Sequence, residues 1–343
     1  MSESSDIEVG GAEEHTEAML TAARSVIRTC MQIRSHEHVL IVTDPVTAGV
    51  GRALYEASAE VTDRTLMMMM PTTHKKGAEP PSPVTDLMRR QNVVLLATKN
   101  SLTHTRARLT ASREGARIAS MPGITEVTFA NGGITADYNA LQKEIAGLNP
   151  LLRRRREVHV TTPAGTDVRF VIGARWVLED NGICNRPRQI MNLPSGRVFV
   201  LPKEDSMTGK IVIDGSWDGK LLDDPLVILV ENGVIVNLSG GEMAKKIDDV
   251  FEQAAIPLRP TKAARVRTVA EFGFGMNSRS KLIGNMLEDQ VVRGSAYFGF
   301  GDNSALGGKA TVGVHMRGVM IKPTVELQDV DLIIDGKVTA RKK

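Results

Sequence analysis

The chain has 343 residues, which exceeds the usual size of one compact domain, so we expect two domains. Its 43 basic and 40 acidic residues leave a formal net charge of only +3. The basic run at residues 153–156 is not accompanied by a known nucleic-acid-binding motif, so a nucleic-acid partner is not expected. Its two cysteines, Cys30 and Cys184, are too few and too far apart for a disulfide framework, which favours a reducing, cytoplasmic compartment.

The N-terminal residues 1–16 are acidic and polar, and we expect them to form a disordered head. They lack a basic region followed by an apolar run, so they do not resemble a signal peptide. The sequence contains no stretch of about 18 uninterrupted apolar residues, so no membrane partner is expected.

Short apolar strands alternate with amphipathic helices along the first part of the chain. The predicted strands are residues 38–43, 65–70, 92–97 and 118–120, and the predicted helices are residues 17–34, 46–59, 83–90 and 103–115. Such alternation is typical of a doubly wound parallel sheet with right-handed crossovers. We therefore expect an α/β domain over residues 17–152.

From residue 157 the sequence becomes rich in Val, Thr, Gly and Asp. Turn signals at Glu231-Asn232-Gly233 and Asp335-Gly336 predict β-hairpins. The clearest helix of this half is predicted at residues 241–255. We therefore expect a β-rich α+β domain over residues 153–343, which would carry most of the functional site.

A polar segment, SLTHTRAR at residues 101–108, follows the predicted strand at 92–97 and opens a helix. This position places His104 at the carboxyl edge of the sheet, beside helix N–H groups that favour anions. The spacing by itself favours a simpler interpretation, in which Ser101 or Thr103 caps the helix and His104 is exposed.

Six further motifs follow along the chain, and their order is part of a resemblance to a known family. They are GARIASMPG, TTPAGTD, NLPSG, EFGFGMN, FGDNSALGG and VHMRG. With SLTHTRAR, this series resembles the aminopeptidase T family of metallopeptidases over most of the chain. The same superfamily includes iron-dependent dihydroxypyridine ring-cleaving dioxygenases, so the resemblance implies the fold first and the reaction second.

The resemblance also implies a metal site, from which this chain departs at most positions. Arg197 stands where the family has a glutamate after NLPSG, Tyr297 stands where it has a histidine, and Arg317 replaces the aspartate of a final His-x-Asp pair. The glutamate of EFGFGMN is retained as Glu271, and the histidine of the final pair is retained as His315.

A catalytic zinc or iron site needs at least three protein ligands, and arginine cannot lose its proton to make room for a cation. We therefore expect no tightly bound metal, although a zinc, cobalt or iron ion is what the family resemblance implies. If such an ion binds, Glu271 and His315 are its expected ligands. The family's catalytic tyrosine falls near Ser304, so that group is missing too.

Two hypotheses follow for the altered pocket. In the first, Arg197 and Arg317 form a fork that binds a carboxylate or phosphate, because guanidinium groups bind such anions bidentately. The groups assigned to acid–base chemistry, hydrogen bonding and further substrate contact are then His315, His104, Glu271, Tyr297 and Ser304. In the second, the arginines form a structural network with Glu271, Glu204 or Asp205 that replaces the metal as a scaffold.

Three functions remain open from the sequence. The first is a hydrolase that cleaves an amide or ring C–N bond of a small anionic substrate without a tightly bound metal. The second is an enzyme like the ring-cleaving dioxygenases that acts on an N-heteroaromatic compound, and the third is a non-catalytic protein that binds a small anion. The resemblance also implies a homo-oligomer.

Overall fold

The computed structural model describes residues 16–152, 155–173 and 178–342, so the predicted disordered head lies outside the described residues except for Thr16. The chain divides into two compact units. The first unit contains the described part of Met1–Gln142 together with Asp180–Ser195, and the second contains the described parts of Lys143–Glu179 and Gly196–Lys343.

The sequence predicts a single boundary, whereas the chain leaves the first unit after Gln142, returns at Asp180 and leaves it again after Ser195. The return has a physical cause, because strand Ile190–Asn192 pairs in parallel with the strand Arg117–Ser120 of the first unit. A strand of three residues carries too weak a periodic signal to be assigned to a sheet from sequence. The predicted domain bounds remain predictions.

The described helices begin with α1 at residues 16–25, which continues as a π-helical turn at Val26–Cys30. The others are α2 (Ala48–Ala59), α3 (Ser82–Met88), α4 (Arg106–Arg113), α5 (Glu126–Asn131), α6 (Tyr138–Leu152), α7 (Gly241–Ala255), α8 (Pro260–Ala263) and α9 (Met286–Asp289). Short 3-10 turns lie at Gly133–Thr135 and Ser304–Leu306. The helix predicted at residues 241–255 is confirmed as α7.

The described strands run through both units. They are β1 (Val39–Thr43), β2 (Thr65–Met69), β3 (Val93–Ala97), β4 (Arg117–Ser120), β5 (Glu157–Thr161), β6 (Asp167–Val171), β7 (Leu178–Asp180), β8 (Ile190–Asn192), β9 (Arg197–Val200), β10 (Thr208–Ile213), β11 (Ser216–Trp217), β12 (Lys220–Leu221), β13 (Leu226–Glu231), β14 (Val234–Ser239), β15 (Val269–Gly275), β16 (Ala296–Gly301), β17 (His315–Met320), β18 (Thr324–Leu327), β19 (Val330–Ile334) and β20 (Lys337–Lys342).

A parallel five-stranded sheet with the order β2-β1-β3-β4-β8 forms the centre of the first unit. Every residue of β1, β3 and β4 is buried, as expected for strands that are covered on both faces. The predicted α/β class of this part of the chain is confirmed.

The second unit is built on two largely antiparallel sheets. One has eight strands in the order β14-β13-β10-β6-β5-β18-β19-β20, and the other has seven in the order β12-β11-β17-β16-β15-β9-β7. Glu231 pairs with Val234, and Ile334 pairs with Lys337, so both predicted hairpins are confirmed. The predicted β-rich α+β class is confirmed as well.

Glycine and phenylalanine alternate in the two central strands of the seven-stranded sheet, as Glu-Phe-Gly-Phe-Gly in β15 and Tyr-Phe-Gly-Phe-Gly in β16. Since side chains alternate between the faces of a strand, the phenylalanines share one face. Phe170 of β6 meets Phe272 with ring centroids 5.2 Å apart and Phe298 at 6.2 Å. The two sheets therefore share an aromatic core, and the glycines lie on the opposite face of the seven-stranded sheet.

None of the described helices combines the length and the apolar character that a membrane-spanning segment requires.

The core face of β17 is packed tightly enough to reject a single added methyl group. A Cβ atom on Gly318 would lie 2.8 Å from Cγ1 of Ile213 and 2.9 Å from Cε3 of Trp217. We expect Gly318→Ala to lower the free energy of unfolding by about 1–3 kcal/mol, measured by urea denaturation. The control is Gly147→Ala in α6, where an added Cβ meets no atom within 4 Å and should leave stability unchanged or slightly higher. Equal stability of both variants would contradict this packing.

Candidate functional site

A buried carboxylate on β15 organises the polar face of the seven-stranded sheet. Glu271 is 1% exposed, and its Oε1 atom accepts hydrogen bonds from the Tyr297 hydroxyl at 2.6 Å and from Arg197 Nη1 at 3.1 Å. Its Oε2 atom accepts from Arg317 Nη2 at 2.9 Å and Nε at 3.2 Å. We call these four residues, together with His315 and Gln290, the Glu271 cluster.

Strand register explains why residues so distant in sequence meet here. Glu271 on β15 is paired with Gly299 on β16, and Gly299 is paired with Arg317 on β17. The arginine reaches across the glycine to the carboxylate. A Cβ atom on Gly299 would lie 2.9 Å from Cβ of Glu271 and 3.1 Å from Nε2 of His315, so the missing side chain leaves the space that the ion pair needs.

Arg197 approaches the same carboxylate from β9, where it is paired with Gly275 of β15. Its Nη1 atom also donates to the Tyr297 hydroxyl oxygen at 2.8 Å and to Gln290 Oε1 at 3.1 Å, and its guanidinium carbon lies 4.4 Å from the centroid of the Phe199 ring. Sequence reasoning missed Phe199 and Gln290. Phe199 could have been found from the strand period, because it follows Arg197 by two residues, whereas Gln290 carries no motif signal.

His315 is oriented by a backbone carbonyl. Its Nδ1 atom lies 2.7 Å from the carbonyl oxygen of Asp302, and since a carbonyl only accepts, Nδ1 carries the proton of this bond. Its Nε2 atom lies 3.4 Å from Glu271 Oε2 and makes no hydrogen bond within the described residues. The Asp302 carboxylate accepts from the N–H groups of Val312 at 2.7 Å and Gly313 at 3.0 Å, which fixes the loop that positions this carbonyl.

The charges of the cluster keep Glu271 ionised. Burial by itself would raise the pKa of Glu271, but the positive charge of Arg317, the His315 imidazole beside the carboxylate and the positive charge of Arg197 outweigh it and hold that pKa well below its ordinary value. Burial raises the pKa of the Tyr297 hydroxyl, so this group stays protonated and acts as a donor. Glu271 is therefore a poor proton donor, and Tyr297 a poor base.

Two further site residues were predicted from the sequence, Ser304 and His104. Ser304 is exposed, and its hydroxyl and N–H both bond to Asp302 Oδ1, at 2.5 and 2.9 Å. His104 lies in an exposed turn of the first unit before α4, and its predicted part in the same chemistry remains a prediction. Glu204, considered as a partner of the arginines, accepts instead from the Lys309 N–H at 2.9 Å.

The helix N-terminus beside His104 is already occupied by an internal anion. The Glu79 carboxylate accepts from the N–H groups of Arg106 at 2.6 Å and Ala107 at 3.1 Å. The helix is capped by Thr105, whose side chain accepts from Arg108 N at 3.2 Å, and not by Ser101 or Thr103 as predicted. These groups therefore do not offer an open anion site.

The side chains of the Glu271 cluster do not fit a divalent metal. Among the described residues no group of three or more His, Cys, Asp or Glu side chains is arranged to hold an ion. Both carboxylate oxygens of Glu271 are engaged by guanidinium groups, which carry fixed positive charge at the positions that an ion would occupy. The retained pair, Glu271 and His315, falls short of the three ligands that such a site requires.

Comparison with known proteins adds the family. The family model described as "NicX: 2,5-dihydroxypyridine 5,6-dioxygenase" matches residues 18–340. The chain belongs to the NicX family. It is 23% identical over 215 residues to the 2,5-dihydroxypyridine 5,6-dioxygenase of Pseudomonas putida KT2440, a match that spans 58% of this chain and 59% of that protein.

Two solved structures share the fold of this NicX family member. The 2,5-dihydroxypyridine dioxygenase of Pseudomonas putida KT2440 aligns with a TM-score of 0.78 at 17% identity, covering 95% of this chain and 98% of that one. Wild-type AmpT from Thermus thermophilus aligns with a TM-score of 0.67 at 13% identity, covering 94% and 99%. The expected relation to the dihydroxypyridine dioxygenases is confirmed by the family match, and the likeness to AmpT, at 13% identity, concerns the fold alone.

Replacing the central carboxylate should destabilise the second unit strongly. In Glu271→Gln, the guanidinium groups of Arg197 and Arg317 lose their shared anion while remaining largely buried. We expect the free energy of unfolding to fall by about 3–5 kcal/mol, measured by chemical denaturation. The control is Glu56→Gln on the exposed face of α2, which should change stability little. A loss no larger than that of the control would contradict the importance of this ion pair.

The same pair predicts a pH dependence. Because the folded-state pKa of Glu271 lies well below the ordinary value of 4.5, its ionised form stabilises the fold above that pH. This contribution is lost as the pH falls from there through the folded-state pKa. The difference in unfolding free energy between the wild type and Glu271→Gln should therefore be constant near neutral pH and shrink in acid. A difference that does not change in acid would argue against the lowered pKa.

The Tyr297 hydroxyl both donates to Glu271 and accepts from Arg197, so its removal leaves a buried donor and acceptor each one partner short. We expect Tyr297→Phe to cost about 1–3 kcal/mol of stability, measured as a lower denaturation midpoint. Tyr55→Phe, at a side chain that is 39% exposed, is the matched control and should be nearly neutral. Similar midpoints for both variants would refute this hydrogen-bonding role.

Proposed function

We propose that the chain is a ring-cleaving enzyme whose substrate is a small, anionic N-heteroaromatic compound that binds at the Glu271 cluster. The observation that carries the proposal is the NicX family match over residues 18–340, a family described by the cleavage of a dihydroxypyridine. The curated relative from Pseudomonas putida has the same name. The chemistry of the cluster supports an anionic substrate.

Arg317 is the group we assign to the anionic part of the substrate. Its side chain is 25% exposed, its Nε and Nη2 atoms are bound to Glu271, and its Nη1 atom makes no hydrogen bond within the described residues. Because the carboxylate holds the guanidinium in one orientation, little side-chain entropy is lost when Nη1 binds a carboxylate or a ring oxygen.

Arg197 is given a different role. Its side chain is 8% exposed, and its Nη1 atom already donates to Glu271, Tyr297 and Gln290. A guanidinium held in this way supports the structural network rather than the anion-binding fork. In our proposal the anion-binding hypothesis therefore applies to Arg317, which binds the substrate. The structural-network hypothesis applies to Arg197, which fixes the Glu271 carboxylate.

His315 is the acid–base group we favour. Glu271 is fully ionised and hydrogen-bonded, and Tyr297 is buried with its proton directed at Glu271, so neither exchanges a proton readily with a substrate. The side chain of His315 is 25% exposed. Its Nδ1 proton is committed to the Asp302 carbonyl, so Nε2, which is buried beside Glu271, is the nitrogen left for proton exchange with a bound substrate.

Hydrolysis of an amide or ring C–N bond, the function that the sequence favoured, has weaker support. The family description and the curated relative both name a dioxygenase, while AmpT shares 13% identity and supports the fold. Iron-dependent ring cleavage, in turn, needs an ion that the residues of the Glu271 cluster do not fit. The reaction is therefore tested for its dependence on oxygen and metal together.

The test is incubation of the purified protein with 2,5-dihydroxypyridine and with a carboxylated dihydroxypyridine, in air and under nitrogen, with added ferrous iron and with a chelator. Ring absorbance and dissolved oxygen are followed in each arm. We expect ring absorbance to be lost, and we expect Arg317→Ala to raise the KM of the carboxylated compound about 10- to 100-fold. Arg52→Ala, at an exposed position of α2, should leave KM unchanged.

Two results would contradict ring cleavage, and a third would contradict the role of Arg317. Release of an amine from peptide or amide substrates, with every ring compound unchanged in all arms, would favour the hydrolase. Binding of the ring compounds without turnover in any arm would favour the non-catalytic anion-binding protein. An equal effect of Arg317→Ala on carboxylated and uncarboxylated compounds would remove Arg317 as the anion contact.

A further inference from the structure

Two nitrogen-containing side chains, a guanidinium and an imidazole, approach the same carboxylate oxygen of Glu271. The guanidinium of Arg317 binds Oε2 through Nη2 at 2.9 Å and Nε at 3.2 Å, and His315 Nε2 lies 3.4 Å from the same atom. A carboxylate oxygen and an imidazole nitrogen that converge in this way are the ligand types that zinc and cobalt prefer. The guanidinium lies beside both of them.

We propose that the Arg317 guanidinium takes the place of a bound cation, because it supplies the positive charge that Glu271 needs. The single substitution Arg317→Asp then converts the cluster into a divalent-cation site. A carboxylate that is 1% exposed is unstable without an opposite charge close by. In this chain a side chain provides that charge permanently, so stability of the second unit does not depend on a metal.

The charge balance of the substitution favours binding of a divalent ion. Arg317 contributes one positive charge beside Glu271. An aspartate at this position contributes one negative charge, and a divalent cation bound to it restores a net contribution of one positive charge. Arg317→Asp with a bound divalent ion is therefore electrostatically equivalent to the wild type, whereas Arg317→Asp without an ion leaves two carboxylates facing each other.

Strand geometry supplies the ligands. Residues 315 and 317 point to the same face of β17, and position 317 lies in register with Glu271 across Gly299. Replacement of a long arginine by a short aspartate opens space above Gly299, which has no side chain to fill it. Glu271, His315 and the new carboxylate would then provide three mixed ligands, with further positions open to water.

Arg197 remains a constraint on this converted site, because its Nη1 atom still binds Glu271 Oε1. The carboxylate is therefore left with Oε2 as its free oxygen and would bind an ion through that single atom. The cation role of Arg317 is independent of the substrate, so it can fail or succeed separately from ring cleavage.

The experiment is a cobalt titration of the wild type, Arg317→Asp, Arg317→Ala and Arg52→Asp, followed by visible absorption and calorimetry. The last variant adds the same charge change at an exposed position of α2. We expect Arg317→Asp to bind cobalt at least about 100-fold more tightly than the wild type or either control, because it loses a repelling charge and gains a ligand. We also expect cobalt to raise its melting temperature.

Arg317→His is a second conversion, which adds an imidazole ligand and no negative charge. If both conversion variants fold, by circular dichroism, and neither binds cobalt more tightly than Arg317→Ala, the proposal is overturned. It is also overturned if the wild type binds cobalt as tightly as they do, or if both variants stay unfolded even with excess cobalt. A variant that folds when cobalt is added supports the proposal directly.

Discussion

A buried carboxylate held between two guanidinium groups is the interaction on which the polar face of the second unit depends. Glu271 has almost no contact with solvent, and its two oxygens are divided between Arg197 and Arg317. Burial of an ion is unfavourable unless it is paired and fully hydrogen-bonded. Here the Tyr297 hydroxyl completes the shell of the carboxylate. Removal of any one of these groups leaves a charge or a donor unpaired.

The alternation of glycine with aromatic residues connects this cluster to the core. Phe272 and Phe298 lie on the core face of their strands, with ring centroids 5.0 Å apart. The glycines between them face the opposite way and leave room for long charged side chains. A Cβ atom on Gly273 would come within 2.4 Å of the Tyr297 hydroxyl. One repeated dipeptide thus provides both the apolar packing and the space for the ion pairs.

The parts of the fold that could be predicted from sequence are those with strong local signals. Runs such as HVLIVT are confirmed as buried parallel strands, and turn residues such as Asn232-Gly233 are confirmed at hairpins. The return of Asp180–Ser195 to the first unit could not be predicted, because it depends on pairing between distant strands. For the same reason Glu79 was not recognised as the anion at the N-terminus of α4.

In the candidate site, too, some residues could be predicted from the sequence and others could not. A motif resemblance led to Glu271, Arg197 and Arg317, and the structure brings them together. The carbonyl of Asp302 that orients His315, and the amide of Gln290 that accepts from Arg197, have no signature in sequence. Ser304 was assigned from the motif resemblance alone, and its hydroxyl contacts the Asp302 carboxylate instead of Glu271.

The chain belongs to the NicX family, but the side chains that the structure describes do not form a metal-binding set. Position 317 is central to this difference, because an arginine there binds Glu271. The family description implies oxygen chemistry, while the arginines of this chain neutralise Glu271 from within. Elemental analysis of the protein, purified without oxygen and without chelators, tests this most directly. We predict far less than one equivalent of zinc, cobalt or iron per chain. A stoichiometric ion that is lost in Glu271→Gln and in His315→Ala would contradict the account.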